Sequence, residues 1–157
     1  MRLEYFQMLD GIERLDTAGS ICAIASVPAA SSVFEGHFPG HPIVPGVLLL
    51  ETMAQASGYM LLALDGFRRM PFFAKATEVN FRSFVRPGDR LSIEAERVHD
   101  GSGYVVTRGT IRRGGARVCD AQMMFRLVAF PSPELERHVR SEGVRLSFLS
   151  PAEASDG

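Results

Sequence analysis

The sequence predicts an α+β domain in which a curved antiparallel sheet wraps round one long central helix. Two observations carry this. Thirteen of the 18 residues from Val47 to Leu64 are apolar and lie all round the helical circumference, so a helix there must be covered on most sides. The second half of the chain alternates apolar and polar residues, most cleanly where Cys119, Ala121, Met123, Phe125 and Leu127 alternate with Asp120, Gln122, Met124 and Arg126, the period of a half-buried strand.

The elements follow in order. Met8 to Leu15 and Ser20 to Val27 read as two strands joined by the turn Asp16-Thr17-Ala18-Gly19. Pro28 to Pro45 is a loop rich in Pro and Gly, and the apolar helix starts near Gly46 or Val47 and ends by Gly66. Phe67 to Pro71 is a basic turn. Strands are expected over Phe72 to Phe81, around Leu91, Ile93 and Ala95, over Tyr104 to Ile111 and over the Cys119 run. Turn sequences separate them at Arg86-Pro87-Gly88-Asp89, Asp100-Gly101-Ser102-Gly103 and Gly114-Gly115. Ser132-Pro133-Glu134 has a cap, a Pro at the first position and an acid in the first turn, which starts a short polar helix to about Glu142. Residues 1–130 form the domain, and residues 131–157 form a C-terminal extension with that helix and a frayed tail from Pro151 to Gly157. A wrapped sheet leaves open edges, and pairing two copies edge to edge closes one of them, so a dimer is expected.

At 157 residues the chain can bury about 70% of its unfolded surface and needs no metal or disulfide to fold. Hydrophobic residues are 46% and charged residues 22%, with 17 basic against 18 acidic side chains. That balance excludes bulk disorder and a strongly basic nucleic-acid binder. Cys22 and Cys119 stand 97 residues apart without any CxxC and read as two buried, reduced thiols. The first ten residues carry two acids and no long apolar run, so they are not a secretory signal and a cytoplasmic protein is expected. The apolar helix is at the short limit for a bilayer. Glu51 would add roughly 2.5–3.5 kcal/mol to its insertion. A helix enclosed by its own protein is the expectation, with no membrane span.

Three features could carry chemistry. Glu51 is surrounded in sequence by Leu48, Leu49, Leu50, Met53 and Ala54. Burial raises a carboxyl pKa, so Glu51 could stay protonated near neutral pH, and Gln55 one turn on could fix its direction. His37 sits in Gly36-His37-Phe38-Pro39-Gly40, where a neutral imidazole could act as general base. Pro45-Gly46-Val47 opens the helix, and the free N–H groups of Gly46 and Val47 could polarise a carbonyl. The residues alone leave open a surface-facing Glu51 and a His37 satisfied by a backbone carbonyl. A metal reading of His37 and His41 fails because Pro39, Gly40 and Pro42 forbid the helix that their spacing needs. Gly101-Ser102-Gly103 is a turn and not a nucleotide loop, and Ser57-Gly58 lacks the glycine pattern of a nucleophile elbow.

Gly36-His37-Phe38-Pro39-Gly40, Pro45-Gly46-Val47 and Leu50-Glu51-Thr52-Met53-Ala54-Gln55 together resemble the FabZ-type 3-hydroxyacyl-acyl carrier protein dehydratases of fatty acid synthesis. Asn80-Phe81-Arg82, Arg86-Pro87-Gly88-Asp89 and Val118 to Phe125 match as well, and the His-to-Glu separation of 14 residues is the family's. The resemblance covers roughly residues 5–128 and implies the hot-dog fold. It makes His37 the catalytic base and Glu51 the catalytic acid supplied by a partner subunit, with Gly46 polarising the thioester and Gln55 orienting Glu51. Glu in place of Asp at 51 implies the plain dehydratase and not the FabA-type dehydratase-isomerase. The family's usual opening helix and His-Arg-Tyr-Pro-Phe-type segment are reduced here to Tyr5-Phe6 and Leu9-Asp10, and residues 129–157 have no clear counterpart.

The implied reaction removes water from a (3R)-3-hydroxyacyl thioester to give a trans-2-enoyl thioester, without a cofactor. The acyl chain would lie in a tunnel lined by Ile43, Met53, Phe72 and Phe73, unless these are simply core. An acidic acyl carrier protein would dock on Arg68, Arg69, Lys75, Arg82, Arg86 and Arg90. A homodimer, or a trimer of dimers, is implied. The altered N-terminus and extra tail point to a specialised enzyme, such as one making unusually long or lipid A-type acyl chains. The rivals are a hot-dog thioesterase, which would release free acid, and a non-catalytic acyl-binding hot-dog protein.

Overall fold

The computed structural model describes residues 1–147; the tail expected to fray, Pro151 to Gly157, lies outside the described residues. Six strands form one antiparallel sheet: β1 (Gly11–Asp16), β2 (Ser20–Ser26), β3 (Met70–Phe81), β4 (Arg90–Gly101), β5 (Tyr104–Arg113) and β6 (Ala116–Val128). Their spatial order is β1-β2-β4-β5-β6-β3, so β1 and β3 are its edges. Among the described residues there are also three helices, α1 (Ser32–Gly36), α2 (Gly46–Leu64) and α3 (Pro133–Arg145), and one 3-10 turn at Leu3–Tyr5.

Alternation in the strands sends one set of side chains towards α2. Register aligns Ile21, Ala95, Gly109 and Ala121 in one row across the sheet, and Ala23, Ile93, Ile111 and Cys119 in the next. All but Gly109 are buried hydrophobics. The first row is small for a reason. A Cβ built on Gly109 would lie 3.0 Å from Cβ of Met53 and 2.8 Å from Cε of Met123, so glycine lets α2 come down onto the sheet. Ser57 of α2 and Thr107 of β5, both fully buried, share a hydrogen bond of 3.0 Å in this layer, with the Thr107 hydroxyl donating, which satisfies both hydroxyls where water is absent.

Several sequence readings need correction. The first strand begins at Gly11, because Met8 and Leu9 are buried in the segment before it. The loop from Pro28 contains α1, whose cap is the Ser31 hydroxyl accepting from Val33 N–H at 3.1 Å. The basic turn is shorter than expected, since Met70 and Pro71 already pair with Val128 and Leu127. Cys119 is buried and its thiol is pushed up to about 12 by that burial. Cys22 is only half-buried, with Sγ 3.8 Å from a Glu13 carboxylate oxygen. Its thiol is raised by partial burial and then by Glu13.

The larger correction concerns α2. Among the described residues it is the one helix long and apolar enough to cross a membrane, and half of it is buried inside its own chain. It is not enclosed. Val47 is 72% exposed, and Leu50, Glu51, Gln55, Gly58 and Tyr59 remain partly open. These positions fall on one helical stripe. The sheet covers the opposite side.

Candidate active site

Glu51 stands on this open stripe. The α2 periodicity that buries Met53, Ala56 and Met60 under the sheet turns Glu51, Gln55 and Gly58 to the side. One Glu51 carboxylate oxygen accepts from Gln55 Nε2 at 2.9 Å. Gln55 is itself held at both ends: Nε2 also donates to the Phe6 carbonyl at 2.6 Å, and Oε1 accepts from Met8 N–H at 3.1 Å. Met8 N–H needs an acceptor, so the amide has one orientation. The segment before β1 thereby fixes Gln55, and Gln55 fixes Glu51.

Glu51 and Gln55 line a cavity of about 210 Å³ whose other walls are apolar: Ala54, Gly58, Tyr59 and Leu62 of α2, Met70, Pro71 and Phe73 of β3, Phe125 of β6 and Val139 of α3. Tyr59 is raised above its ordinary value by burial first and then by the nearby Glu142.

The His37 loop is built separately. His37 closes α1, its carbonyl accepts from Ile43 N–H at 2.9 Å, and its ring stacks on Phe38 with centroids 4.2 Å apart. Phe38 and His41 exchange backbone hydrogen bonds of 3.2 and 2.9 Å round the Pro39-Gly40 turn. Gly40 has φ +72°, a conformation that costs glycine little. A cleft of about 610 Å³ beside this loop is lined by Phe34, Glu35, Phe38 and Pro42 among others. The cavity holding Glu51 does not include His37.

Between His37 and Glu51 in the chain comes the start of α2. Leu48 and Leu49 N–H return to the Pro45 carbonyl at 2.9 and 3.4 Å, while the Gly46 and Val47 N–H groups precede the first turn and have no carbonyl to bond within it. A Cβ on Gly46 would sit 3.0 Å from Cζ of Phe81, so the Phe81 ring at the end of β3 covers this position closely.

The remaining candidates divide. Phe73 lines the Glu51 cavity, whereas Phe72 turns to the other face and is 53% exposed. Met53 is fully buried against Gly109 and is a core residue. Ile43 is half-buried in the His37 loop. The basic side chains form no single cluster, because β3 separates them by twelve residues, roughly 40 Å of strand. Arg68 and Arg69 bind Asp65 at the end of α2, and the hydrogen bond from Arg69, at 2.6 Å, holds the Asp65 carboxyl below its ordinary value. Lys75 lies midway along β3, and Arg90 opens β4 opposite Ser26. Arg82 and Arg86 line a cleft of about 500 Å³ with Phe81, Ser83, Phe84 and Arg113. Sequence reading missed Arg113, which donates to the Phe84 carbonyl at 2.9 Å and to Asp89 at 2.7 Å. It also missed Tyr59 and Val139. Among the described residues no three His, Cys, Asp or Glu side chains are placed to hold a metal.

Residues 2–122 match the model of the FabA-like domain family. A 3-hydroxyacyl-[acyl-carrier-protein] dehydratase FabZ from Symbiobacterium thermophilum is 37% identical over 133 residues, 84% of this chain and 94% of that one. Its counterpart in Enterococcus faecalis is 33% identical over 121 residues, 76% of this chain and 86% of the relative. The chain belongs to the FabZ-type dehydratases. Among solved structures, a hypothetical thioesterase from Streptococcus pneumoniae TIGR4 with coenzyme A is similar at a TM-score of 0.62 and 21% identity, over 77% of this chain and 87% of that one. The E. coli PaaI protein gives 0.61 and 18%, over 75% and 78%. At such identities these two share the hot-dog fold and nothing finer. The match to the FabA-like family model ends at residue 122, before α3, whose Val139 adds to the wall of the Glu51 cavity.

Proposed function

We propose that two copies of this chain form each active site and dehydrate a (3R)-3-hydroxyacyl thioester on acyl carrier protein, with His37 from one copy and Glu51 from the other. FabZ membership makes the chain a 3-hydroxyacyl-acyl carrier protein dehydratase of fatty acid synthesis; the residue roles are our reading. The observation that carries it is Glu51, a carboxyl group oriented by Gln55 on the wall of an otherwise apolar cavity. The open stripe of α2 and the free edge of β3 lie on that side, which supports a partner docking there and bringing its His37 loop to the carboxyl group.

In this reading the thioester carbonyl accepts hydrogen bonds from Gly46 and Val47 N–H, and the helix dipole stabilises the charge that builds on its oxygen. The C2 proton is thereby acidified and passes to neutral His37. Gln55 occupies one Glu51 oxygen and leaves the other to carry the proton given to the C3 hydroxyl. The C3–O bond breaks, the C2–C3 double bond forms, and water leaves. A proton then returns from His37 to Glu51 through solvent, and no cofactor takes part. The carrier protein docks at the Arg82, Arg86 and Arg113 end, because Phe81 beside Arg82 touches Gly46.

His37→Ala and Glu51→Gln are each expected to lower turnover by roughly 100-fold or more, the usual loss when a general acid or base is removed. Mass analysis of the product distinguishes an enoyl thioester from the free acid a thioesterase would release. Near-normal turnover in either variant contradicts the roles, and tight acyl binding without turnover in the native chain would favour a binding protein.

A further inference from the structure

The cavity that starts at Glu51 has a direction. Its α2 wall runs through Glu51, Ala54, Gln55, Gly58, Tyr59 and Leu62, twelve residues whose eleven steps span roughly 16 Å at the helical rise. Beyond Glu51 and Gln55, which share one end of the α2 wall, the lining is mostly apolar. That is the shape expected for a chain whose head reacts at Glu51 and whose tail lies against α2.

The far end meets α3, which lies beyond the matched family domain. Its attachments show where it sits. The Arg140 guanidinium lies 5.3 Å from the centre of the Phe67 ring and donates to the Phe67 carbonyl at 3.5 Å, just past the C-terminus of α2. Glu142 accepts from Gln7 at 3.3 Å, Arg145 donates to the Leu9 carbonyl at 3.0 Å, and the Leu146 carbonyl accepts from Ile12 N–H at 3.1 Å. Leu146 is fully buried in the core. The helix is thus pinned through its C-terminal half, from Arg140 to Leu146, both to the chain just past α2 and to the segment that holds Gln55. Val139 lines the cavity together with Leu62, and the contact of its neighbour Arg140 with Phe67 points to the α2 C-terminus, away from Glu51.

We propose that α3 is the end wall of the acyl groove, with Val139, Tyr59 and Leu62 setting the longest acyl chain the enzyme accepts. This rests on the dehydratase reading for the identity of the chain, but the groove and its wall stand on geometry alone. It replaces the expectation of unusually long acyl substrates by a preference with an upper limit.

The test uses the full chain and its Val139→Ala and Val139→Phe variants, with circular dichroism to establish that each is folded. Affinity for saturated acyl-pantetheine thioesters is measured by calorimetry from four to sixteen carbons, and dehydration of the matching 3-hydroxyacyl carrier substrates is followed in parallel. In the native chain, affinity rises with length and then stops rising. Val139→Phe lowers the ratio of affinity for the longest bound chain to that for the four-carbon chain by about tenfold or more, the scale of one or two displaced methylenes. Val139→Ala moves the limit to longer chains. If both variants keep the native length profile, or affinity in the native chain still climbs at sixteen carbons, the end-wall proposal is wrong. If the profile shifts as stated and no 3-hydroxyacyl substrate is dehydrated, the wall stands and the dehydratase reading falls.

Discussion

Gln55 shows how much one side chain decides. It joins the backbone of Phe6 and Met8 to the Glu51 carboxyl through three hydrogen bonds. Gln55→Ala leaves the fully buried Met8 with an unpaired N–H, at a cost of about 1–3 kcal/mol, and also frees Glu51 to rotate. Urea unfolding and steady-state kinetics should show lower stability together with a fall in kcat larger than any change in KM. Gln55→Glu should not restore kcat, because a carboxylate cannot donate to Glu51. Asp65 is a second case. Arg69 holds its folded-state pKa below the ordinary 3.8, so the unfolded state binds more protons as pH falls through that range. The contribution is therefore complete above about pH 4 and lost as pH drops below it. The melting temperature of Asp65→Asn should lie below that of the native chain at neutral pH, and the difference should shrink as pH falls below about 4, as followed by circular dichroism.

At the scale of elements, the approach of α2 to the sheet depends on Gly109, which lies between Ala95 and Ala121 in one row across the sheet. Gly109→Val places atoms where Met53 and Met123 already sit and should cost about 1–3 kcal/mol by overpacking, measured by chemical denaturation. Because Met53 and Glu51 share α2, lifting the helix should also lower turnover more than it lowers affinity for acyl thioester. The elements legible in the sequence were those whose signal is local. Alternation in β6 and the apolar density of α2 need no partner to be read. The pairing of Arg113 with Asp89, the fall of Val139 into a cavity formed by α2 and β3, and the open stripe of α2 arise from contacts between distant segments, which no window of periodicity contains. α1 did carry a local signal, the Ser31 cap ahead of Val33 and Phe34, hidden by the Pro and Gly residues on either side.

At the scale of the molecule, one chain supplies the six-stranded sheet, and its Glu51 cavity does not include His37. His37 closes α1 ahead of the α2 start, and the Glu51 cavity is lined along α2 from Glu51 to Leu62. The motif spacing legible in the sequence put Glu51 on α2 and His37 in the segment before it, which the structure shows closing α1, but it held no information about which copy would complete which pocket. A pocket shared between two copies can be restored by two defective ones. Co-expressing His37→Ala and Glu51→Gln chains, each inactive alone, forms mixed dimers in which one pocket has both residues. Dehydration of a 3-hydroxyacyl carrier substrate by the purified mixture should recover to about one quarter of native turnover, since random pairing makes half the dimers mixed and each mixed dimer has one intact pocket of two. Turnover no higher than that of the separate variants would contradict the shared site.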